Sequence, residues 1–131
     1  MRVRLSTIFV DDQEKALKFY TSTLGFLKSR DIPVAGPYRW LTLKSPEGGD
    51  AELSLEPNAN PIAKAYQDGL LSQAIPANAF EVDHIESEVG RLKRAGVQFK
   101  SDVTSAGPVK IAVFFDTCGN LIQIYEAARE S

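Results

Sequence analysis

Few side chains in this 131-residue sequence combine into acid–base, nucleophilic or metal chemistry. Glu52 stands out. In the run Ala51-Glu52-Leu53-Ser54-Leu55-Glu56, period-two alternation puts Glu52, Ser54 and Glu56 on one face of a strand and Ala51, Leu53 and Leu55 on the other. A carboxylate facing a cleft can act as a general base or anchor a cationic or hydroxylated ligand, and burial there is expected to raise its pKa toward a value that suits proton abstraction. The same residue can instead pair structurally with an arginine or lie at a wet rim. The only histidine, His84, sits at the start of a predicted helix, where an imidazole is most often solvated or hydrogen-bonded locally. The only cysteine, Cys118, cannot close a disulfide within the chain and has no histidine or cation adjacent in sequence to lower its thiol pKa, so it reads as a reduced thiol in a turn.

The elements that must position these groups occur twice. An apolar strand runs into Asp11-Asp12-Gln13-Glu14 and a helix closing at Leu24-Gly25-Phe26; a second runs into Asp83-His84-Ile85-Glu86 and a helix closing at Ala95-Gly96-Val97. The two Asp-x-x-Glu starts lie 72 residues apart and the closing glycines 71, which marks an internal duplication. Asp11 and Glu14 have the spacing of a capping box, with Asp replacing the usual Ser or Thr. The first half reads as strand 2–10, a helix, strand 26–32, a loop over 33–37, strand 38–44, a turn over 45–50 and strand 51–55. Residues 57–76 form a linker with a short helix over 62–71. The second half repeats the order: strand 77–82, helix 85–95, strand 98–103, a loop through 105–107, strand 109–115, a turn at 117–120 and strand 121–126, with a fraying tail over 127–131. Module one thus covers about 1–56 and module two 77–126, in a single domain long enough to bury a core.

Composition closes off several function classes. The formal net charge is −2, with 15 basic residues spread among 17 acidic ones, so no basic stripe is available for a phosphate backbone and nucleic acid is not an expected partner. The apolar stretch at the start is broken by Ser6 and Thr7 and ends at Asp11, too soon for a leader core or a membrane span, so the expectation is a soluble cytoplasmic protein with no membrane partner.

The phrases Phe9-Val10-Asp11-Asp12, Ala16-Leu17-Lys18-Phe19-Tyr20, Leu24-Gly25-Phe26, Phe80-Glu81-Val82, Leu92-Lys93-Arg94-Ala95-Gly96-Val97 and Phe114-Phe115-Asp116-Thr117-Cys118-Gly119-Asn120 resemble the glyoxalase/bleomycin-resistance/dioxygenase superfamily, also called vicinal oxygen chelate. The resemblance implies an α+β fold of two tandem βαβββ modules, forming a cup-like eight-stranded mixed sheet with the helices outside. Metal-dependent members of that family draw one ligand from the first and one from the last strand of each module. Counted from the strand ends and the glycine turns, those positions here are Leu5, Glu52, Ala77 and Gln123. Leu5 and Ala77 cannot bind a cation and Gln123 offers only a neutral carbonyl, so no metal and no cofactor is expected.

Alternation places Leu5, Thr7 and Phe9 in the cleft from the first strand, Trp40 and Thr42 from the third, Glu52, Ser54 and Glu56 from the fourth, Ala79 and Glu81 from the fifth, and Gln123 and Tyr125 from the last. That is an amphipathic pocket with aromatic walls, suited to a small molecule. The aromatics Trp40 and Tyr38 can stack on a ligand or serve as ordinary core. The leading expectation is metal-independent binding of a small organic molecule, as in the antibiotic-binding branch of the family. The alternative is a lyase like lactoylglutathione lyase, whose enediolate needs a Lewis acid; ring-cleaving dioxygenase activity lacks its histidines. A homodimer is expected from the resemblance and from exposed sheet edges.

Overall fold

The structure, a computed structural model, describes residues 1–128. Its elements are β1 (Leu5–Val10), α1 (Gln13–Lys18), β2 (Leu27–Ala35), β3 (Tyr38–Lys44), β4 (Glu52–Pro57), α2 (Pro61–Ser72), β5 (Asn78–Glu81), α3 (Ile85–Arg94), β6 (Phe99–Ala106), β7 (Val109–Phe115) and β8 (Leu121–Glu126). Two compact units divide the chain, residues 1–68 and residues from 69 onward, with the boundary inside α2. Each holds a four-stranded mixed sheet, ordered β1-β4-β3-β2 in the first and β5-β8-β7-β6 in the second. In both, the first strand lies parallel to the last and the remaining pairs are antiparallel. The α+β fold of tandem βαβββ modules is therefore present, and the repeat seen in the residues is a repeat of topology.

Each unit buries one sheet face under its helix. In the first, α1 packs on β3 and β4, and Ile8, Val10, Ala16, Tyr20, Leu41, Leu43, Leu53 and Leu55 are buried. In the second, α3 packs on β6, β7 and β8, with Ile85, Val89, Leu92, Ala112, Phe114, Ile122 and Ile124 buried. The alternation that hides Ile8 and Val10 leaves Thr7 and Phe9 on the face away from α1.

Both closing glycines are left-handed, Gly25 at φ 96° and Gly96 at φ 90°, as a glycine C-cap requires. The start of the first helix differs from the sequence expectation. Asp12, not Asp11, is the N-cap of α1, its carboxylate accepting from the Lys15 backbone N–H at 3.0 Å, while Asp11 pairs with the Lys15 ammonium. Before α3 the N-cap position belongs to His84, whose side chain makes no capping bond; Glu126, at the end of β8, accepts from the Ile85 backbone N–H at 2.9 Å instead. After Lys18 the helix widens into one π-helical turn, Phe19–Thr23.

The loops expected at 33–37 and 105–107 are mostly strand. Strand β2 pairs with β3 through Pro33 and Ala35, and β6 with β7 through Ser105 and Ala106, so only Gly36-Pro37 and Gly107-Pro108 turn the chain. Both are edge strands, which tolerate the missing N–H of Pro33 and the bulges that both ladders carry. The phrase Ala-Gly-Pro at 35–37 and again at 106–108 is a further trace of the duplication. Helix α2 is slightly longer than expected. Ala127 and Ala128 carry no regular structure, and the rest of the expected tail, 129–131, lies outside the described residues.

Two buried polar residues fasten these elements. Gln13 donates to the carbonyls of Arg39 (2.7 Å) and Leu55 (2.8 Å) and accepts from the Arg39 N–H, joining the start of α1 to β3 and β4. Asp116, fully buried, accepts from the Cys118 and Asn120 backbone N–H groups and from the Asn120 side-chain amide, within 3.0 Å in each case. That set closes a turn in which Thr117 is held at φ 64° and Cys118 is buried as a free thiol. Replacing Asp116 with Ala strands three buried donors and is expected to cost about 3 kcal/mol. Urea denaturation checks this, and a loss under about 1 kcal/mol would show that the turn does not depend on the carboxylate.

Candidate functional site

The candidate site is built on the face of the first sheet away from α1. The parallel register sets Leu5 beside Glu52, Thr7 beside Ser54 and Phe9 beside Glu56. Across the antiparallel pairs, Thr42 lies opposite Ser54 and Lys44 opposite Glu52, and then Arg30 opposite Thr42 and Ile32 opposite Trp40. Side chains two apart on a strand share a face, so Leu5, Thr7, Phe9, Trp40, Thr42, Glu52, Ser54 and Glu56 lie on one face of the first sheet.

Glu52 is the hub. The Thr42 hydroxyl donates to its Oε1 at 2.8 Å and the Ser29 hydroxyl to its Oε2 at 3.0 Å, while the Thr42 Oγ1 accepts from the Arg30 backbone N–H at 3.2 Å. Ser29 belongs to β2, which does not adjoin β4. It reaches Glu52 across β3 because the β2 ladder is irregular between Lys28 and Arg30. Next to this cluster the Arg30 guanidinium carbon lies 4.6 Å from the centroid of the half-buried Trp40 ring. Toward the other end of β4, the Ser54 hydroxyl donates to Glu56 Oε1 at 2.7 Å, and Phe9 meets Tyr66 of α2 edge-on at 6.4 Å. The buried Gln67 of α2 donates to the Phe9 carbonyl and accepts from the Asn58 side-chain amide, which fixes that corner.

These contacts reverse one expectation. The Glu52 carboxyl lies below the usual glutamate value, chiefly because Thr42 donates to it; burial acts the other way and is outweighed, with Ser29, Arg30 and Lys44 adding to the lowering. Glu52 is thus an ionised acceptor and a weaker base than an ordinary glutamate.

The family's metal positions do not make a binding set here. Leu5 does stand beside Glu52, but the partner of Gln123 is Ala79, while Ala77 lies one residue before β5 and donates its N–H to the Leu121 carbonyl. Neither alanine offers a side-chain donor atom. Leu5 and Ala79 bring no donor atom, Gln123 brings an amide, and Glu52 already accepts two hydroxyls, a set that does not fit a divalent transition ion. Among the described residues no three His, Cys, Asp or Glu side chains group for a metal. In the second unit, Ala79 pairs with Gln123 and Glu81 with Tyr125, and Val113 and Ile111 flank them from β7. His84 is exposed at its helix start. Tyr38 is exposed rather than core.

Sequence reasoning missed Ser29 and Arg30. A bulge interrupts the alternation that assigns faces, so the residues of β2 could not be given a side from period two alone.

Known proteins carry the same pattern. The family model described as Glyoxalase/Bleomycin resistance protein/Dioxygenase superfamily matches residues 3–124. The uncharacterized protein YurT of Bacillus subtilis is 51% identical over 127 residues, covering 96% of this chain and 99% of that protein. Among solved structures, UcmS2 superposes with a TM-score of 0.81 at 28% identity, over 95% of this chain and 97% of that one. TnmS3, an antibiotic binding protein from Streptomyces sp. CB03234, does so with a TM-score of 0.75 at 27% identity, over 98% and 97%.

Because its folded pKa lies below the unfolded one, Glu52 contributes stability that is present above the unfolded value and lost as pH falls through the folded value. Thr42→Val removes the main cause. Carboxylate NMR titration is expected to show the Glu52 midpoint moving up toward the usual value in this variant, with less stability lost on acidification. An unmoved midpoint would show that Thr42 does not hold the charge.

Proposed function

This chain belongs to the glyoxalase/bleomycin resistance protein/dioxygenase superfamily, and from that premise we propose that it binds a small organic molecule on the helix-free face of its first sheet without the aid of a metal. The observation that carries this reading is the state of Glu52. It occupies the position of a metal ligand, yet its oxygens are held by Thr42 and Ser29 and its neighbour in the pairing register is Leu5. A carboxylate made less basic by two hydroxyl donors is suited to accept a hydrogen bond from a ligand and poorly suited to abstract a carbon-bound proton.

The surrounding residues support the same reading. Trp40 and Phe9 supply aromatic surface, and Thr7 and Glu56 supply polar contacts. TnmS3 is described as an antibiotic binding protein, which favours an organic ligand of that kind. The isomerase or lyase alternative needs a Lewis acid at the enediolate oxygens, and the side chains at the ligand positions do not supply donors for one. No helix among the described residues is long and apolar enough to cross a membrane. Action in the cytoplasm as a homodimer completes the proposal, the dimer resting on the uncovered edges of both sheets.

A thermal-shift screen against polycyclic and peptidic antibiotics is expected to find a ligand that stabilises the protein by about 2.7 kcal/mol at a hundred times its Kd, a rise of roughly 10 °C in Tm. The shift is expected to survive EDTA. Silence across a diverse library would sink the binding reading; loss of the shift with EDTA and its return with added zinc or nickel would sink metal independence.

A further inference from the structure

We propose that Glu52 is a positioning residue: through Ser29 and Thr42 it fixes the irregular stretch of β2 that lays Arg30 on Trp40, and the resulting stack is a platform for an electron-rich, hydroxylated planar aromatic ligand. This rests on the binding reading above and names the chemistry of its ligand. The geometry runs in one chain of contacts. Glu52 takes the Ser29 hydroxyl with one oxygen and the Thr42 hydroxyl with the other, and Thr42 takes the Arg30 backbone N–H. The two residues on either side of the bond between positions 29 and 30 are therefore both tied to one carboxylate two strands away. Pinning that backbone sets the direction of the Arg30 side chain, which crosses to Trp40 on β3 at 4.6 Å.

A guanidinium is flat, delocalised and weakly hydrated, so it stacks on an aromatic face more readily than an ammonium does. The guanidinium carbon lies over the indole ring at 4.6 Å, and Arg30 itself is exposed, so a ligand can approach the group from solvent. A second ring placed there sees a cationic plane, which attracts the negative face of an electron-rich ring and repels a cationic one. Hydroxyls on such a ring find acceptors in Glu52 and Glu56, which lie on the same sheet face and have lone pairs beyond those their Ser and Thr partners use.

Trp40 is the only tryptophan, so its indole N–H gives a single NMR resonance that reports on the stack. In ligand-free protein, Ser29→Ala and Arg30→Met are expected to move that resonance in the same direction, while Ser29→Thr, which keeps the hydroxyl, leaves it in place. A resonance moved by Arg30→Met but untouched by Ser29→Ala would overturn the positioning role. Dihydroxynaphthalene and naphthylmethylammonium then serve as matched probes, read by calorimetry and by the indole resonance. The hydroxylated probe is expected to bind the more tightly, and Arg30→Met to weaken it by roughly two- to fivefold without lowering Tm. Equal or tighter binding of the cationic probe, or no effect of Arg30→Met, would overturn the platform. If an antibiotic from the screen stabilises the protein while neither probe shifts the indole, the platform falls and the binding reading stands; if nothing binds at all, both fall.

Discussion

The parallel pairing of the first strand with the last is the constraint on which each unit depends. It places β4 and β8 in the interior of their sheets and leaves β2 and β6 at an edge. It also makes neighbours of residues far apart in the chain, Leu5 with Glu52 and Ala79 with Gln123. Antiparallel strands can follow one another through tight turns, but a parallel partner must be reached by a crossover. Here α1 and α3 lie on those routes and cover the apolar face. Period two then decides everything about the opposite face, because a strand that buries Leu53 and Leu55 has no choice but to turn Glu52, Ser54 and Glu56 away from the helix.

The edge position of β2 is what lets the site be more than a strand ladder. An interior strand pays for irregularity on both sides, whereas an edge strand can carry Pro33 and two register shifts and still pair with β3. One shift brings Ser29 far enough over Thr42 to reach Glu52. A regular β2 would give Glu52 one hydroxyl partner instead of two. The depressed pKa of a residue on the central strand therefore originates partly in a defect on the outer one.

Much of this was legible in the sequence, and the legible part is the apolar part. The closing glycines, the turn residues and the alternation in β1 and β4 fixed the elements and the face of Glu52, since these signals act over a few neighbouring residues. What escaped was set by pairing. Strand β5 is only four residues long, and its register sets Ala79 rather than Ala77 beside Gln123, which counting along the chain does not show. The capping box named Asp11, but Asp12 caps α1, and the distant Glu126 takes the first free N–H of α3. Burial alone predicted a raised pKa for Glu52; the hydroxyl donors that reverse it come from two other strands and have no local signature.

The two halves show why polar detail resists such reading. Gln13 and Ile85 open α1 and α3 and both are buried, although one is polar and the other apolar. Their fastenings differ completely. Gln13 binds strand backbone with its own side chain, whereas Ile85 offers only a backbone N–H, which Glu126 accepts. A buried methyl or ring is satisfied by any neighbour of the right volume, but a buried donor needs a particular acceptor at a particular angle. Duplicated modules can thus keep one core while each finds its own polar solution. The same freedom operates at the ligand positions. Leu5, beside Glu52 in the register, brings the carboxylate no polar atom, and a charge half buried on a sheet must find donors elsewhere. Thr42 and Ser29 are those donors, and by lowering the proton affinity of Glu52 they exchange reactivity for a fixed, preorganised acceptor.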